Sequence, residues 1–520
     1  MSQTVSPLPA PRLPGIGFEP VRVSQPSTLR TDVAVFIGRT ERGPVGDPTR
    51  IDGNRAFQAV FGGFLADADT PLAIKGYFDN GGRQAWVLRL APGAVPAAAT
   101  WTLAGPGTFV PPGLGVERLR LVASTPGTWG NALSVAPALR ATRAGLLLDI
   151  EIAQSGRVTE RLIDLPLGSI DELTAAVAAR SHLIRVEADA GAVAAGSSGA
   201  GPTRQAWPAV VLSDGSGGTL ADGDAYAAAI DTAMQLSEPA LVVLPDLHRD
   251  AASDAAAAEI LLGAARQADR QLDRLVIADA PEGVRDETGF TAWLDRFEQD
   301  PSVHRTIALY HPWLQVHDPI GDVRRPLRSV PPSGHVAGAI ARADLTRGAH
   351  ATPANITLEE VVDTSRRIAA DSRLALAQGG LNLIECQSGR GLVIWGGRML
   401  RSDDAPPRFV AHRRFLQRMV RALRRVWAPM VFEPNDDMLR YSVARQATTL
   451  LLEAFHAGIL KGVRPDEAFR VDVGERLNDA AARADGKLFC EIGVALAVPM
   501  EFVQIRISLS LDGTVELVEP

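Results

Sequence analysis

The chain has 520 residues, is 46% hydrophobic and carries a formal net charge of −7. This length indicates roughly two to four domains, and the apolar content excludes a disordered protein. The mild acidity argues against nucleic acid as a partner, because nucleic-acid-binding domains carry a basic excess. No run approaches the roughly 18 apolar residues of a membrane span, and the Pro-rich start lacks a secretory signal. We therefore expect synthesis in the cytoplasm, no direct membrane insertion, and release by lysis if the protein acts outside the cell.

The two cysteines lie in apolar, strand-like surroundings. Cys386 is in NLIECQSG and Cys490 is in KLFCEIGVAL. Two buried thiols in a reducing compartment fit this pattern better than a disulfide framework.

Residues 1–31 are interrupted by proline and serine, which predicts an extended N-terminal arm rather than a helix. The apolar residues of its one strand-like piece have no local partner: Ile16, Phe18, Val21 and Val23. Residues 32–91 then indicate the first part of a core domain. They contain strands VAVFIG and QAWVLRL around helices near 54–61 and 71–80.

Residues 92–205 contain short β runs between Gly and Pro turns, which is typical of an inserted β-rich outer domain. The insert ends in AGAVAAGSSGAG, which predicts a flexible connector. Residues 206–400 alternate strands with helices, which predicts an α/β domain with a buried parallel sheet. Its predicted strands are PAVVLSD, ALVVLPD, RLVIADA and TIALYHPWLQV, and a helix is predicted over 358–376.

Residues 401–501 form a C-terminal domain with two long predicted helices, at 408–427 and 437–460. The first helix has an apolar stripe on one side. Its other side carries arginines, including Arg413, Arg414, Arg418, Arg421 and Arg425. This charged side is either a solvated helix face or a surface that meets an acidic partner.

Residues 502–520 are predicted to form a C-terminal strand arm. Apolar residues alternate with polar ones at Val503, Ile505, Ile507, Leu509 and Leu511. Asp512-Gly513 then predicts a two-residue hairpin turn and a returning strand.

Three predicted parallel strands end in an acid, at Asp214, Asp246 and Asp279. Because open α/β sheets bind ligands at the carboxyl ends of their strands, a metal-dependent hydrolase or phosphotransferase is the alternative function. The other interpretation, which we favour, is that each aspartate caps the helix that follows it or starts a turn.

Other candidate sites in the sequence are weak. LSDGSGGTLADGD is rich in glycine but matches neither nucleotide-binding motif. His311, His317 and Asp318 have no second cluster at metal-ligand spacing. No G-x-S-x-G, H-E-x-x-H or C-x-x-C motif occurs. We therefore predict no enzyme activity, no metal and no cofactor.

Several stretches, in order along the chain, resemble the phage tail sheath protein family, including the sheaths of extracellular contractile injection systems. They are VAVFIGRTERGPVGDPTRI, FQAVFGGF, LAIKGYFDNGGRQAWVLRL, ASTPGTWGNALSV, YHPWLQVHDP, VPPSGHVAGAIARADLTRGAHATPAN, GRGLVIWGGRML, VFEPND and CEIGVALAVPMEFVQIRI. The N-terminal Pro14-Gly15-Ile16-Gly17-Phe18-Glu19 departs from the family pattern, because the usual tyrosine is missing.

The resemblance implies a sheath-type α/β (α+β, multi-domain) fold with N- and C-terminal extended arms and an inserted β-rich domain. It implies a structural subunit that polymerises helically around an inner tube and contracts to drive the tube through a target envelope. The implied partners are other copies of the chain, the inner tube protein, the baseplate and the tail-terminator or cap proteins. The arms are expected to add strands to the sheets of neighbouring copies, and a strand without a local partner is suited to that β-augmentation.

Two other structural classes fit the sequence less well. A fibre or adhesin component fits the α/β core poorly. A type VI secretion sheath is a nearer relative, but it is usually split into two chains. The sequence leaves open whether the particle is a phage tail, a bacteriocin or an injection system.

Overall fold

A computed structural model describes residues 29–103, 118–142, 145–188, 204–284, 287–297, 300–369, 372–373, 376–377, 379–400, 409–496, 502–509 and 515–518. The predicted arm residues Ile16, Phe18, Val21 and Val23, the connector at 190–201 and Leu511 lie outside the described residues.

The first part of the core carries three strands and two helices. In chain order these are β1 (Ala34–Gly38), β2 (Thr49–Ile51), α1 (Asn54–Phe61), α2 (Thr70–Asp79) and β3 (Ala85–Arg89). Helix α2 has a proline in its first turn, where the missing N–H has no cost. Its C-terminal side is held by the buried Asn80, whose amide group bonds Gly76 O and the backbone of Glu359.

The insert forms two antiparallel sheets around one hydrophobic core. Its elements are β4 (Ala98–Thr102), β5 (Arg118–Ala123), β6 (Leu133–Thr142), β7 (Gly145–Gln154), β8 (Arg157–Pro166), α3 (Ile170–Arg180), β9 (Ile184–Ala188), β10 (Arg204–Ala206) and β11 (Val210–Val211). The prediction that PAVVLSD is a parallel strand of the core sheet is wrong. Its residues form β11, which pairs antiparallel with β6 inside the insert.

The remainder of the α/β domain completes a nine-stranded sheet. Its elements are α4 (Gly223–Gln235), β12 (Leu241–Val243), α5 (Leu247–Asp250), α6 (Asp254–Gln271), β13 (Leu275–Asp279), α7 (Glu287–Leu294), α8 (Pro301–Thr306), β14 (Ile307–His311), β15 (Leu314–His317), β16 (Leu327–Val330), α9 (Ser333–Arg347), β17 (Ile356–Thr357), β18 (Asp363–Thr364), β19 (Leu381–Gln387) and β20 (Gly391–Trp395). The strand order is β17-β20-β19-β14-β13-β12-β1-β3-β2. The pairs from β3 through β19 are parallel, as the apolar strands predicted.

Both faces of this sheet are covered. One hydrophobic cluster joins it to α4 and α6, and a second joins it to α2 and α9. A helix was predicted over 358–376. This prediction is wrong for residues 358–369, which are irregular apart from the short β18. There the backbone bonds the neighbouring strands, including Leu358 N–H to Leu392 O and Val362 N–H to Gln315 O.

The C-terminal domain consists of helices packed on a four-stranded antiparallel sheet. Its elements are α10 (Val410–Trp427), α11 (Asp437–His456), α12 (Pro465–Ala468), β21 (Phe469–Asp472), α13 (Ala480–Ala484), β22 (Leu488–Ala495), β23 (Phe502–Leu509) and β24 (Val515–Val518). The sheet order is β21-β22-β23-β24, and β24 pairs antiparallel with β23, as the predicted returning strand requires. The predicted two-residue turn at Asp512-Gly513 lies outside the described residues.

Among the helices of the described residues, each is too short or too polar to cross a membrane. Both cysteines are free thiols. Cys490 is buried as predicted, but Cys386 is exposed, so the expectation of two buried thiols is wrong for Cys386.

Candidate functional site

Asp246 follows β12 at the carboxyl edge of the nine-stranded sheet and is fully buried. Its carboxylate accepts hydrogen bonds from Arg39 N (2.6 Å), from Asp69 N (2.5 Å), and from the Thr70 hydroxyl (2.7 Å) and N (3.2 Å). Because Asp69 precedes α2, the carboxylate occupies the anion site that a helix N-terminus provides. The N–H groups at the start of α2, which could bind a ligand's anionic group at this edge, are occupied by the protein's own carboxylate.

A second buried acid has the same role. Asp279 ends β13, and its carboxylate accepts the Ser333 N–H (2.7 Å) at the first turn of α9. Asp246 and Asp279 therefore bind helix N-termini, but not those of the helices that follow them. The prediction that Asp246 caps the following helix is wrong, because its side chain makes no capping bond to α5 and bonds the start of α2 instead.

Burial raises the pKa of three carboxyls at this edge. Asp279 is raised to about 7, although its bonds to Ser333 lower it. Asp250 is also raised to about 7, with nearby Asp246 adding to the effect of burial and Arg39 opposing it. Asp69 is raised to about 6, because burial outweighs its bonds to Arg249 and Arg328. Ionisation of these buried carboxyls is therefore a cost to the folded state.

Asp214 is not part of this edge. It is exposed on the segment that leads from the insert back to the core, with φ of 63°. The glycines around Asp214 lie where this returning segment runs beside the segment that leads from the core into the insert. Val95 bridges to Ser216 there, and Ala98 bridges to Ser213. A Cβ on Gly218 would lie 2.2 Å from Pro92 O, so glycine allows the outgoing and returning segments to touch. The glycine-rich stretch therefore joins two domains, and its Asp222 caps α4.

The suggested histidine site is not assembled. His311 is completely buried, whereas His317 is exposed on a different sheet. Within the described part of the chain, no group of three His, Cys, Asp or Glu residues could hold a metal ion.

Two of the family-like motifs meet where the insert joins the core. The ERGP turn, residues 41–44, lies against the TPGTWG segment, residues 125–130. Gly43 N–H bonds the Thr125 hydroxyl (3.1 Å), and the Arg42 guanidinium lies 5.4 Å from the centre of the Trp129 ring. These contacts fix the orientation of the insert, and their separation along the chain hid them from sequence analysis.

The GHVAGAI motif is explained by close helix packing between α2 and α9. A Cβ on Gly334 would lie 2.4 Å from Ala73 O, and one on Gly338 would lie 2.3 Å from Tyr77 O. The two helix backbones are therefore in contact, as only small residues permit.

The arginine side of α10 is mostly buried in its own subunit. Arg413, Arg414 and Arg421 are at most 3% exposed, and they pair with Asp269, Asp344 and Asp273 respectively. The prediction of a tube-facing or neighbour-facing surface is therefore wrong for these three residues. The physical reason is that the loops before β12 and β13, at the amino edge of the sheet, present backbone carbonyls. Arg421 donates hydrogen bonds to these carbonyls. Arg418 is half-buried and Arg425 is exposed, so these two remain surface candidates.

The C-arm residues Val503, Ile505, Ile507 and Leu509 lie on β23, which pairs along its whole length with β22 of the same chain. Cys490 lies opposite Ile507, and Ile492 lies opposite Ile505. In the part of the chain that the structure describes, the outer sides of β21 and β24 have no strand neighbour. This sheet can accept a further strand.

An exposed apolar surface beside that sheet was missed. Phe432, Met438 and Tyr441 are 85%, 71% and 64% exposed, and Phe432 has a φ of 77° that is unusual for a bulky residue. Asn435 Nδ2 donates to Lys487 O (2.9 Å) and ties the segment to the start of β22. The sequence signal for this surface was the presence of Phe and Met within the acidic stretch VFEPNDDM. Aromatic and Met side chains are enriched at protein interfaces.

Comparison with known proteins agrees with this architecture. Residues 220–399 match the family model for the phage tail sheath protein central domain. Among curated proteins, no significant match to the chain is found.

Solved structures with the same fold extend over nearly the whole chain. A sheath tail protein from Listeria innocua is 13% identical, with 92% of this chain and 95% of that chain covered and a TM-score of 0.65. The helical sheath of the anti-feeding prophage in its contracted state is 19% identical over 94% and 97%, with a TM-score of 0.54. A chain of the anti-feeding prophage baseplate is 19% identical over 96% and 98%, with a TM-score of 0.56. The resemblance drawn from the sequence motifs is confirmed.

Proposed function

We propose that this chain, which belongs to the phage tail sheath family through its central domain, is the sheath subunit of a contractile phage-tail-like particle. It polymerises helically around an inner tube, on a baseplate, and shortens to drive the tube through a target envelope. The observation that carries the proposal is that one fold accounts for nearly all of this chain and nearly all of a protein from a contracted helical sheath.

The C-terminal sheet is the proposed joint between copies. A neighbour's N-terminal arm adds to its open edge, and the β23–β24 hairpin exchanges its bonds to β22 for the same bonds to an adjacent copy. One donated strand with about five backbone hydrogen bonds contributes roughly 1 kcal/mol net per bond, so the strength of the lattice comes from repetition. Such head-to-tail contacts do not close, which is what a helical polymer requires.

A pair of substitutions distinguishes pairing within a chain from pairing between chains. Ile507→Cys places a thiol opposite the native Cys490, and Cys386→Ser removes the exposed thiol. Directly opposed residues of an antiparallel pair are close enough for a disulfide. In assembled sheath, oxidation should yield multimers on a non-reducing gel, whereas the soluble subunit should yield a cross-linked monomer. Adding Cys490→Ser is the control and should abolish both products.

Polymerisation itself is tested by truncation. Deleting residues 502–520 or residues 1–28 should abolish long tubes in electron micrographs of the protein mixed with its tube partner, while the subunit stays folded by circular dichroism. Normal tubes from both truncated forms would contradict the proposal.

We further propose that firing consumes no nucleotide. The extended lattice is metastable on its tube and baseplate, and contraction gains inter-subunit burial and charge pairing. Asp246 supports this, because its carboxylate already accepts the backbone N–H groups at the start of α2, a kind of site that can bind a phosphate. ATP turnover coupled to contraction in purified particles would contradict it.

For the orientation in the particle, we propose that the α/β core and C-terminal helices lie near the tube and that the insert faces outward. The insert interrupts the core and meets it through the two paired crossing segments and the ERGP turn, which suits a peripheral lobe. The exposed Phe432 surface is then covered by a neighbouring protein in the particle. A density map with the insert against the tube would overturn this orientation.

A further inference from the structure

The segment where the N-terminal arm joins the folded subunit, residues Arg30 to Asp32, is held unusually firmly. Thr31 and Asp32 are buried, at 2% and 3% exposure. The Arg30 guanidinium pairs with Asp32 (2.6 Å) and reaches the Gln84 side chain at the start of β3. The Tyr77 hydroxyl of α2 donates to Asp32 O (2.8 Å). We call these three residues the arm root.

Helix α10 takes up the remaining main-chain acceptors of the arm root. Arg421 donates to Arg30 O (2.6 Å), and Arg414 donates to Thr31 O (3.0 Å). Arg414 also pairs with Asp344 (2.7 Å), whose carboxylate accepts the Thr31 hydroxyl as well. Residues almost 400 positions apart in sequence therefore form one buried, charge-assisted network, and such bonds are stronger than neutral ones.

The same helix is bonded to the amino edge of the nine-stranded sheet. Arg421 donates to Glu238 O (2.9 Å) and Pro239 O (2.5 Å) before β12, and it pairs with Asp273 before β13. Gln417 Nε2 donates to Arg274 O (2.7 Å). The opposite face of α10 packs against the C-terminal sheet. Leu416, Met419 and Leu423 of this face lie in one hydrophobic cluster with residues of β22.

We propose that α10 is the mechanical link of the subunit and that it transmits tension from the N-terminal arm directly to the C-terminal sheet. Arg414 and Arg421 are the positioning residues that anchor the arm root to it. This inference rests on the proposed function, because the arm bears tension only if it joins two copies. The arm root and the strand-accepting sheet lie on opposite sides of one helix. A pull on the N-terminal arm is therefore shared by several hydrogen bonds between the arm root and α10. The insert is not part of this connection between the arm root, α10 and the C-terminal sheet.

The first test uses the soluble subunit and does not require assembly. The double variant Arg414→Met with Asp344→Asn removes both buried charges together, so neither is left unpaired. Arg424→Met is the matched control. Arg424 donates to Gln271 O (2.8 Å) and pairs with Asp273 (3.6 Å) from the same helix, but it has no bond to the arm root. Hydrogen exchange of the peptide covering residues 30–36 should be at least tenfold faster in the double variant and unchanged in the control. Equal exchange in the double variant and wild type, or equal acceleration in the control, would overturn the anchor.

The second test uses assembled particles. Double-variant sheath should form at full length but break into short pieces when contraction is triggered by heating, whereas wild-type and Arg424→Met sheaths contract intact. Intact contracted sheaths of the double variant would refute the mechanical role. If wild-type protein forms no sheath, the proposed function fails, while the exchange experiment still decides on the anchor.

If the double variant does not fold, Thr31→Val replaces it. This nearly isosteric change removes only the hydroxyl donated to Asp344. It should raise exchange of the arm root severalfold and leave the melting temperature of the subunit unchanged. Wild-type exchange in this variant would also refute the anchor.

Discussion

The two edges of the nine-stranded sheet are closed in opposite ways. At the carboxyl edge, Asp246 and Asp279 accept N–H groups from the first turns of α2 and α9. At the amino edge, Arg421 donates to the carbonyls that precede β12 and β13. The difference follows from backbone polarity, because helix N-termini present donors and the strand-entry loops here present acceptors. At both edges, buried side chains of the same chain bond these backbone groups.

The largest expected effect is at the carboxyl edge. Asp246→Asn replaces an acceptor of four hydrogen bonds with a side chain that carries donors, so buried N–H groups lose their partners. We expect a loss of about 3–5 kcal/mol in the free energy of unfolding, measured by urea denaturation. Asp214→Asn is the matched control, because that aspartate is exposed, and it should change stability by less than about 0.5 kcal/mol. Equal effects at both positions would remove the distinction between a buried cap and a surface turn.

At the amino edge, Arg421→Met should cost about 2–4 kcal/mol, because it leaves Asp273 and several loop carbonyls without this donor. Arg425→Met, on the exposed side of the same helix, should be within about 0.5 kcal/mol of wild type. The same urea titration measures both. If Arg421→Met is as stable as wild type, the amino edge does not depend on this helix.

The packing of the helices capped at the carboxyl edge gives a smaller effect. Gly338→Ala puts a Cβ 2.3 Å from Tyr77 O, so the backbones of α2 and α9 must separate. We expect a loss of about 1–3 kcal/mol by thermal or urea unfolding. Gly263→Ala in α6 has open space around the new Cβ and should instead gain about 0.5–1 kcal/mol. A neutral Gly338→Ala would contradict the backbone contact.

The smallest effect is a pH dependence. The folded-state pKa of Asp279 is about 7, above its unfolded value, so the native state holds the extra proton. Its contribution to stability is complete below about pH 4 and is lost as the pH rises through 7. Asp279→Asn keeps an oxygen acceptor for Ser333 and should flatten the decline in stability between pH 5 and 8 by on the order of 1–2 kcal/mol. Unfolding titrations at both pH values measure it, and an unchanged slope would show that Asp279 does not titrate there.

Asp214 and Asp246 show how much of the candidate site could be predicted from the sequence. The capping role was predictable, because an aspartate after a strand favours it. Which helix is capped was not, since α2 precedes Asp246 by more than 160 residues. The strand before Asp214 was placed in the wrong sheet, because a short apolar run does not specify its partner.

The sequence by itself determined the parallel strands of the core, both long C-terminal helices, the β23–β24 hairpin and the sheath-like motifs. Each is encoded in local periodicity, turn residues or short ordered patterns. Only the tertiary structure decided that Arg413, Arg414 and Arg421 face inward, that residues 358–369 are not helical and that the ERGP turn meets the TPGTWG segment. The reason is physical: periodicity shows which residues share a face, but what covers that face depends on contacts between segments far apart in the chain.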